Sequence, residues 1–424
     1  MGSERRGGFA AAVAALVALV VVLAGCSLTG GAPDSGTTTG NVSAAEQQAL
    51  LDARSAAVLD GDLAAFMATL DPGDLALRAR QRRYFANMQA LPVRTLRYTV
   101  LKSDWPRGLR ARTWDENVSV PQVRVETQLA DFDEVPVVRI TGFAFTRKND
   151  RPVIVSELTG AGRQFPGSSP APWDLVRLRV QTDGQTLQLY DDQTVGESGE
   201  IMSTVRQGIA DVQDALPFPW DGRVVVYVFA RKVVLNSFEG VPGGNINHLG
   251  AMTFPMYAEL GRPTVAGIRF TLLPSSVRAG QPFLGRITRH ELTHVAVGDR
   301  DDGVPIWFAE GLAEYLGARP IPVNQRRIAT VAVTRARQGV EGMPASSGFN
   351  GKDQAWNYAL SWMACDYIAA TQGEPRLWQL MDALHDGGDG TPDEEQDAVL
   401  QQVLGYSSSQ LAHRAARRIL RIYG

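Results

Sequence analysis

His290-Glu291-Leu292-Thr293-His294 lies in a stretch from about Pro282 to Val297 that reads as one helix, closed by Gly298. Four residues advance a helix by slightly more than one turn. His290 and His294 therefore project from one face, and their neutral imidazole nitrogens can reach the same ion. Glu291 stands beside them, where a carboxylate that does not bind the ion can take a proton from a water made acidic by the metal. The whole chain has five histidines, so two of them at this spacing around a glutamate form a specific signal. The expected ion is a single Zn2+.

A tetrahedral catalytic zinc needs a third protein ligand and an open fourth position. A second helix, expected from Pro305 to Gly317, carries Trp307-Phe308-Ala309-Glu310-Gly311-Leu312-Ala313-Glu314-Tyr315. Glu310 and Glu314 are one turn apart on one face, and spacing alone favours Glu314. The string Trp-x-x-Glu-Gly-x-Ala-x-Tyr resembles the second-ligand helix of gluzincin zinc peptidases related to the zinc aminopeptidases, in which the first glutamate binds zinc. That resemblance assigns the ligand to Glu310 and leaves Glu314 to accept from the N–H of a ligand imidazole. The twenty-residue step from His294 to Glu314 resembles the thermolysin arrangement. The flanking residues favour Glu310 over it, because the loop Asp299 to Val304 can change length while the helix keeps its local geometry. The metzincin pattern fails, since its glycine and third histidine positions hold Val297 and Arg300.

Peptide hydrolysis also needs a donor to the oxyanion. The resemblance points to Tyr358, in a helical stretch downstream of the glutamates, with His248 as a weaker alternative. Gluzincin aminopeptidases hold the substrate amine with a Gly-x-Met-Glu-Asn element. The nearest string here is Gly250-Ala251-Met252-Thr253-Phe254, which lacks the acid, so an endopeptidase is the expected subtype. The strand Gly267 to Leu273 is expected to offer a sheet edge to an extended peptide. Asp299-Arg300-Asp301-Asp302-Gly303 lacks the spacing of a calcium loop and reads as a solvated turn.

Around this centre, Leu175 to Val180, Leu187 to Tyr190 and Arg223 to Ala230 read as strands and Glu200 to Leu216 as a helix. Three or four helices are expected after Leu273. Upstream, helical periodicity from Ala44 and over Leu75 to Met88 precedes alternating strands at Thr95 to Leu101, Gln122 to Leu129, Val137 to Phe145 and Pro152 to Leu158. Helices followed by a meander make an α+β pattern. By element order it resembles a nuclear-transport-factor-2-like domain, and it carries no catalytic constellation. The Gly, Ser and Pro-rich stretch Gly160 to Pro172 marks the boundary. The expected organisation is an α+β domain at 44–165 and a gluzincin-like metallopeptidase domain at 170–424, with a small sheet and a helical C-terminal part.

Arg5 and Arg6 precede an uncharged run to Gly25, the pattern of a secretory signal over residues 1–25. Leu23-Ala24-Gly25-Cys26 resembles the bacterial lipobox, which implies a lipid on Cys26 and a place on the outer face of the cell membrane. Residues 26–43 read as a flexible tether. The one other cysteine, Cys365, lies in an apolar stretch and reads as a buried inert thiol. A net charge of −3 supplies no basic field for nucleic acid. The expected partners are a peptide or protein substrate and the membrane. The competing expectation is a lipoprotein that holds zinc for binding or assembly without turnover.

Overall fold

Residues 41–104, 117–158, 170–238, 241, 246, 249–260, 264–385 and 396–424 are described by the computed structural model. The expected signal, Cys26, the tether up to residue 40, His248 and residues 160–169 of the expected boundary lie outside them.

Ser43 opens helix α1 (Ala44–Leu59) with a capping box completed by Glu46, and Asp62 and Asp74 cap α2 (Leu63–Ala68) and α3 (Leu75–Ala90). These side-chain oxygens satisfy backbone N–H groups that a helix start leaves free. Strands β1 (Val93–Asp104), β2 (Pro121–Leu129), β3 (Val137–Lys148) and β4 (Arg151–Glu157) form an antiparallel meander in sequence order. The helices bury Leu51, Phe66, Leu77 and Tyr84 against Val123, Val125, Phe143 and Ile154 of the strands. This half is α+β, as its periodicities indicate. Arg54 is buried at its centre, with its guanidinium 4.2 Å from the ring centre of Phe66 and donating to Gln81.

The expected strand Leu175 to Val180 is a correction. Pro172 starts a single helical turn, α4 (Pro172–Leu175), and the strand β5 begins only at Arg179–Thr182. Proline pre-sets the first helical position. Asp174 accepts from the N–H of Ala171 at 2.8 Å and pairs with Arg139 of β3, which ties the turn down.

The second sheet has the order β5-β6-β7-β9-β8, with β6 (Thr186–Tyr190), β7 (Val224–Val228), β8 (Ala251–Tyr257) and β9 (Val265–Leu272). Its inner pairs β6/β7 and β7/β9 are parallel, and its outer pairs are antiparallel. A crossover helix α5 (Ser198–Ala215) joins β6 to β7. Every residue of β7 is buried, as a strand covered on both faces requires. Val224, Val226 and Val228 face α5 and the histidine helix, while Val225 and Tyr227 share a core with the first half. The two sheets thus belong to one compact unit. A short helix α6 (Lys232–Leu235) follows β7.

Among the described residues eight α-helices follow β9, more than the three or four expected: α7 (Pro274–Ala279), α8 (Phe283–Val297), α9 (Ile306–Ala318), α10 (Thr330–Gln338), α11 (Gln354–Gln372), α12 (Pro375–His385), α13 (Gln396–Leu404) and α14 (Ser408–Tyr423). Gly298, at φ 61°, ends α8 in a conformation that favours glycine. Cys365 is free and fully buried in the helical core, and burial pushes its thiol well up.

Helices α9 and α11 touch at Gly311. A Cβ there would meet the carbonyl oxygen of Ser361 at 2.6 Å and its carbon at 2.8 Å. Both are backbone atoms, which cannot rotate away. Gly311→Ala is therefore expected to cost about 1–3 kcal/mol, read as a lower Tm by scanning calorimetry. An unchanged Tm would mean that the two helices separate freely.

Candidate metal centre

Helix α8 buries His290 and Glu291 and presents His294 one turn further on. Their rings are 5.0 Å apart between centres. Helix α9 crosses α8 and brings Glu310 to both imidazoles: its Oε2 is 3.2 Å from Nε2 of His290 and 3.6 Å from Nε2 of His294. One ligand atom from each of the three residues lies within 4.8 Å of the others.

The residues present fit a zinc ion. Two imidazoles and one carboxylate are a catalytic zinc donor set. Glu310 Oε2 is buried and lacks a hydrogen-bond partner, which a cation between these three groups would supply. The carboxylates of Glu291, Glu310, Glu314 and Asp301 crowd the two histidines, and of the four the guanidinium of Arg286 pairs with Glu314. Burial favours uncharged groups, yet contact with the imidazoles holds Glu310 well below the usual carboxylate range. Burial would lower His290, but its close contact with the Glu310 carboxylate and the nearby Glu314 and Glu291 carboxylates raise it. Against the same burial, Asp301 and Glu310 raise His294 well up.

Glu291 accepts from the hydroxyl of Thr253 at 2.7 Å. Burial raises its proton affinity. Thr253 is the residue that stands where the aminopeptidase element has its acid. Tyr358 lies on α11, its ring stacked at 25° and 6.3 Å from that of His290. Its hydroxyl donates to Asn350 at 3.3 Å. Burial, then the Glu310, Glu314 and Glu291 carboxylates, push its phenol far up, so it stays protonated and able to donate.

Glu314 is divided between two partners. Its Oε1 is 3.7 Å from Nδ1 of His290, beyond a hydrogen bond, while its Oε2 accepts from Nε of Arg286 at 3.1 Å. The outer nitrogen of His294 faces Asp301 Oδ2 at 3.5 Å. Asp301 is a correction to the solvated-turn reading. The 3-10 turn Gly298–Asp301 folds the acidic run back against α8, so one of its carboxylates meets a histidine. The position of Asp301 seven residues after His294 is its only trace in the sequence.

The expected peptide edge is also corrected. Strand β9 lies between β7 and β8, and β8 is the outer strand. Pro255 within β8 suits an edge, where a missing N–H breaks no ladder.

No family model matches the chain, and no curated protein matches it. Among solved structures it is similar to the M1 zinc metallopeptidase of Deinococcus radiodurans, at 13% identity and a TM-score of 0.30, over 71% of this chain and 61% of that one. A mutant of the Deinococcus radiodurans enzyme gives 13% identity and a TM-score of 0.30, over 72% and 62% of the two chains. A two-domain M1 zinc metallopeptidase mutant bound to L-arginine gives 12% and 0.28, over 72% and 61%. The chain spans less than two thirds of the length of these neighbours.

Proposed function

We propose that the chain is a zinc-dependent peptidase of the gluzincin type, an endopeptidase carried outside the cytoplasm by a lipid on Cys26. The observation that carries this reading is the meeting of His290, His294 and Glu310 within ligand distance of one another, with the buried Glu291 carboxylate beside them. When bound there, zinc would supply a Lewis acid for the scissile carbonyl and lower the pKa of water.

The chain's own residues supply the rest. Glu291 takes the proton of the attacking water and returns it to the leaving amine, and its raised proton affinity suits that exchange near neutral pH. Thr253 fixes its carboxylate. Tyr358 donates to the oxyanion. Glu314 and Asp301 stand behind the outer nitrogens of His290 and His294 and favour the tautomers whose Nε2 atoms face the ion. The outer edge of β8 aligns an extended peptide by strand addition. Thr253 offers no charge to a substrate amine, which supports cleavage inside a chain. The nuclear-transport-factor-2-like reading of residues 44–165 belongs to the same proposal, as a module that places the site away from the membrane.

The test is incubation of the protein, loaded with one equivalent of zinc, with casein and with an N-terminally acetylated peptide library, mapping new termini by mass spectrometry. Internal cuts are expected in both. One equivalent of bound zinc without any cut would favour the zinc-holding protein without turnover, and cuts only in free N-termini would replace the endopeptidase subtype by an aminopeptidase.

A further inference from the structure

Strand β8 is the outer strand of its sheet, and its two faces meet different neighbours. Ala251 packs with α5 and α8, and the Thr253 hydroxyl bonds to Glu291 of α8. Phe254 lies on the other face, its ring centre 5.9 Å from that of Tyr227 and 5.4 Å from that of Phe238. Successive side chains of a strand point to opposite faces. Met252, Phe254 and Met256 therefore share the face opposite Thr253.

On that face a cavity of about 470 Å3 lies between the two sheets. Met252, Phe254 and Met256 line it from β8, with Phe238 beside them and Val138 contributed by β3 of the first half. Pro255 and Tyr257 also line it and are exposed, so the cavity reaches the free edge of the sheet. The guanidiniums in its wall are already paired, Arg139 with Asp174 and Arg269 with Asp133. An entering charge would therefore find no counter-ion, while an apolar group leaves these pairs undisturbed. Protein interiors are normally close-packed, and a space of this size falls in the range of about 300–1,000 Å3 usual for ligand pockets.

A peptide that adds to the edge of β8 continues the sheet, so its side chains alternate between the same two faces. Those opposite Thr253 fall on the side of α8 and the metal centre. Those opposite Phe254 and Met256 fall on the side of the cavity. We propose that the cavity is a specificity pocket that takes one large apolar side chain of a peptide substrate. Phe254 directly follows the residue that holds Glu291, and a strand advances about 3.3 Å per residue, so the selected position lies within about three residues of the cut. This inference rests on the peptidase reading and names its substrate class, peptides with Leu, Met, Phe or Trp at that position. Through Val138 the first half of the chain takes part in the choice.

Cleavage of an N-terminally acetylated peptide library by the zinc-loaded protein, followed by rates on matched peptides, tests the pocket. One position near the cut is expected to favour Phe over Ala by about 10- to 100-fold in kcat/KM, and to reject Asp. Ser237→Trp puts an indole into the half-buried lining and is expected to bring that ratio close to one. The preferences at the two flanking positions, whose side chains lie on the other face, should keep their wild-type ratios. Val138→Ala widens the cavity and is expected to shift the preference at the same position from Leu towards Trp. If Ser237→Trp fails to fold, that shift decides. Cuts without an apolar preference, wild-type ratios in both variants, or equal changes at the flanking positions would each overturn the pocket and leave the peptidase reading standing. Absence of any cut by protein holding one equivalent of zinc would overturn the peptidase reading, and the pocket with it.

Discussion

Glu291→Gln is expected to leave one equivalent of zinc bound and to slow peptide cleavage by about 10²–10⁴-fold. Glutamine has nearly the same shape, and its amide oxygen can still accept from the Thr253 hydroxyl that now lies 2.7 Å from Glu291 Oε2. What it cannot do is take up a proton. The loss should therefore fall on kcat, with KM little changed, because no substrate-binding group has been removed. Stability should not fall. Burial already disfavours the charged form of Glu291, so exchanging it for a neutral amide removes a desolvation penalty. Metal analysis, a melting curve and steady-state cleavage on the same preparation separate the outcomes. Wild-type rates in the variant would remove Glu291 from the chemistry, and loss of zinc would make it a ligand.

Parts of this arrangement are legible without coordinates. The histidine helix announces itself because both its periodicity and its stop at Gly298 are local properties, and the structure places that stop at φ 61°. Glu310 is legible from its flanking residues, since its neighbours Trp307 and Gly311 pack the helix that carries it. Asp301 is not. An acidic run in a turn looks solvated, and only the path of the 3-10 turn decides which carboxylate meets His294. Thr253 is hidden for another reason. Its partner lies 38 residues along the chain, and the contact depends on β9 inserting between β7 and β8 so that β8 becomes the edge. Strand order is a property of the whole sheet, and alternation within each strand leaves it open. The turn at Pro172 is hidden because the apolar residues that follow it satisfy a strand pattern as well as the end of a helical turn.

The two glutamates of α9 should separate by their zinc affinity. Glu310→Gln is expected to weaken zinc binding by more than about 100-fold, beyond the usual effect of a group behind a ligand, and Glu314→Gln by about tenfold or less. Only Glu310 places an oxygen near Nε2 of both histidines, at 3.2 and 3.6 Å, and that oxygen is the one left without a partner. Glu314 lies behind His290, and its other oxygen is engaged by Arg286, whose guanidinium rests 4.1 Å from the ring centre of Trp362. Neutralising Glu314 should therefore act mainly on stability, by leaving Arg286 part-buried without its counter-ion. Neutralising Glu310 should act mainly on the metal, and in the zinc-free protein it also removes the carboxylate that both imidazoles contact. Competition against a chromophoric chelator, run beside melting curves with and without zinc, reads both effects. The reverse order of affinities would hand the third ligand position to Glu314 and would require α9 to turn about its axis when the metal binds.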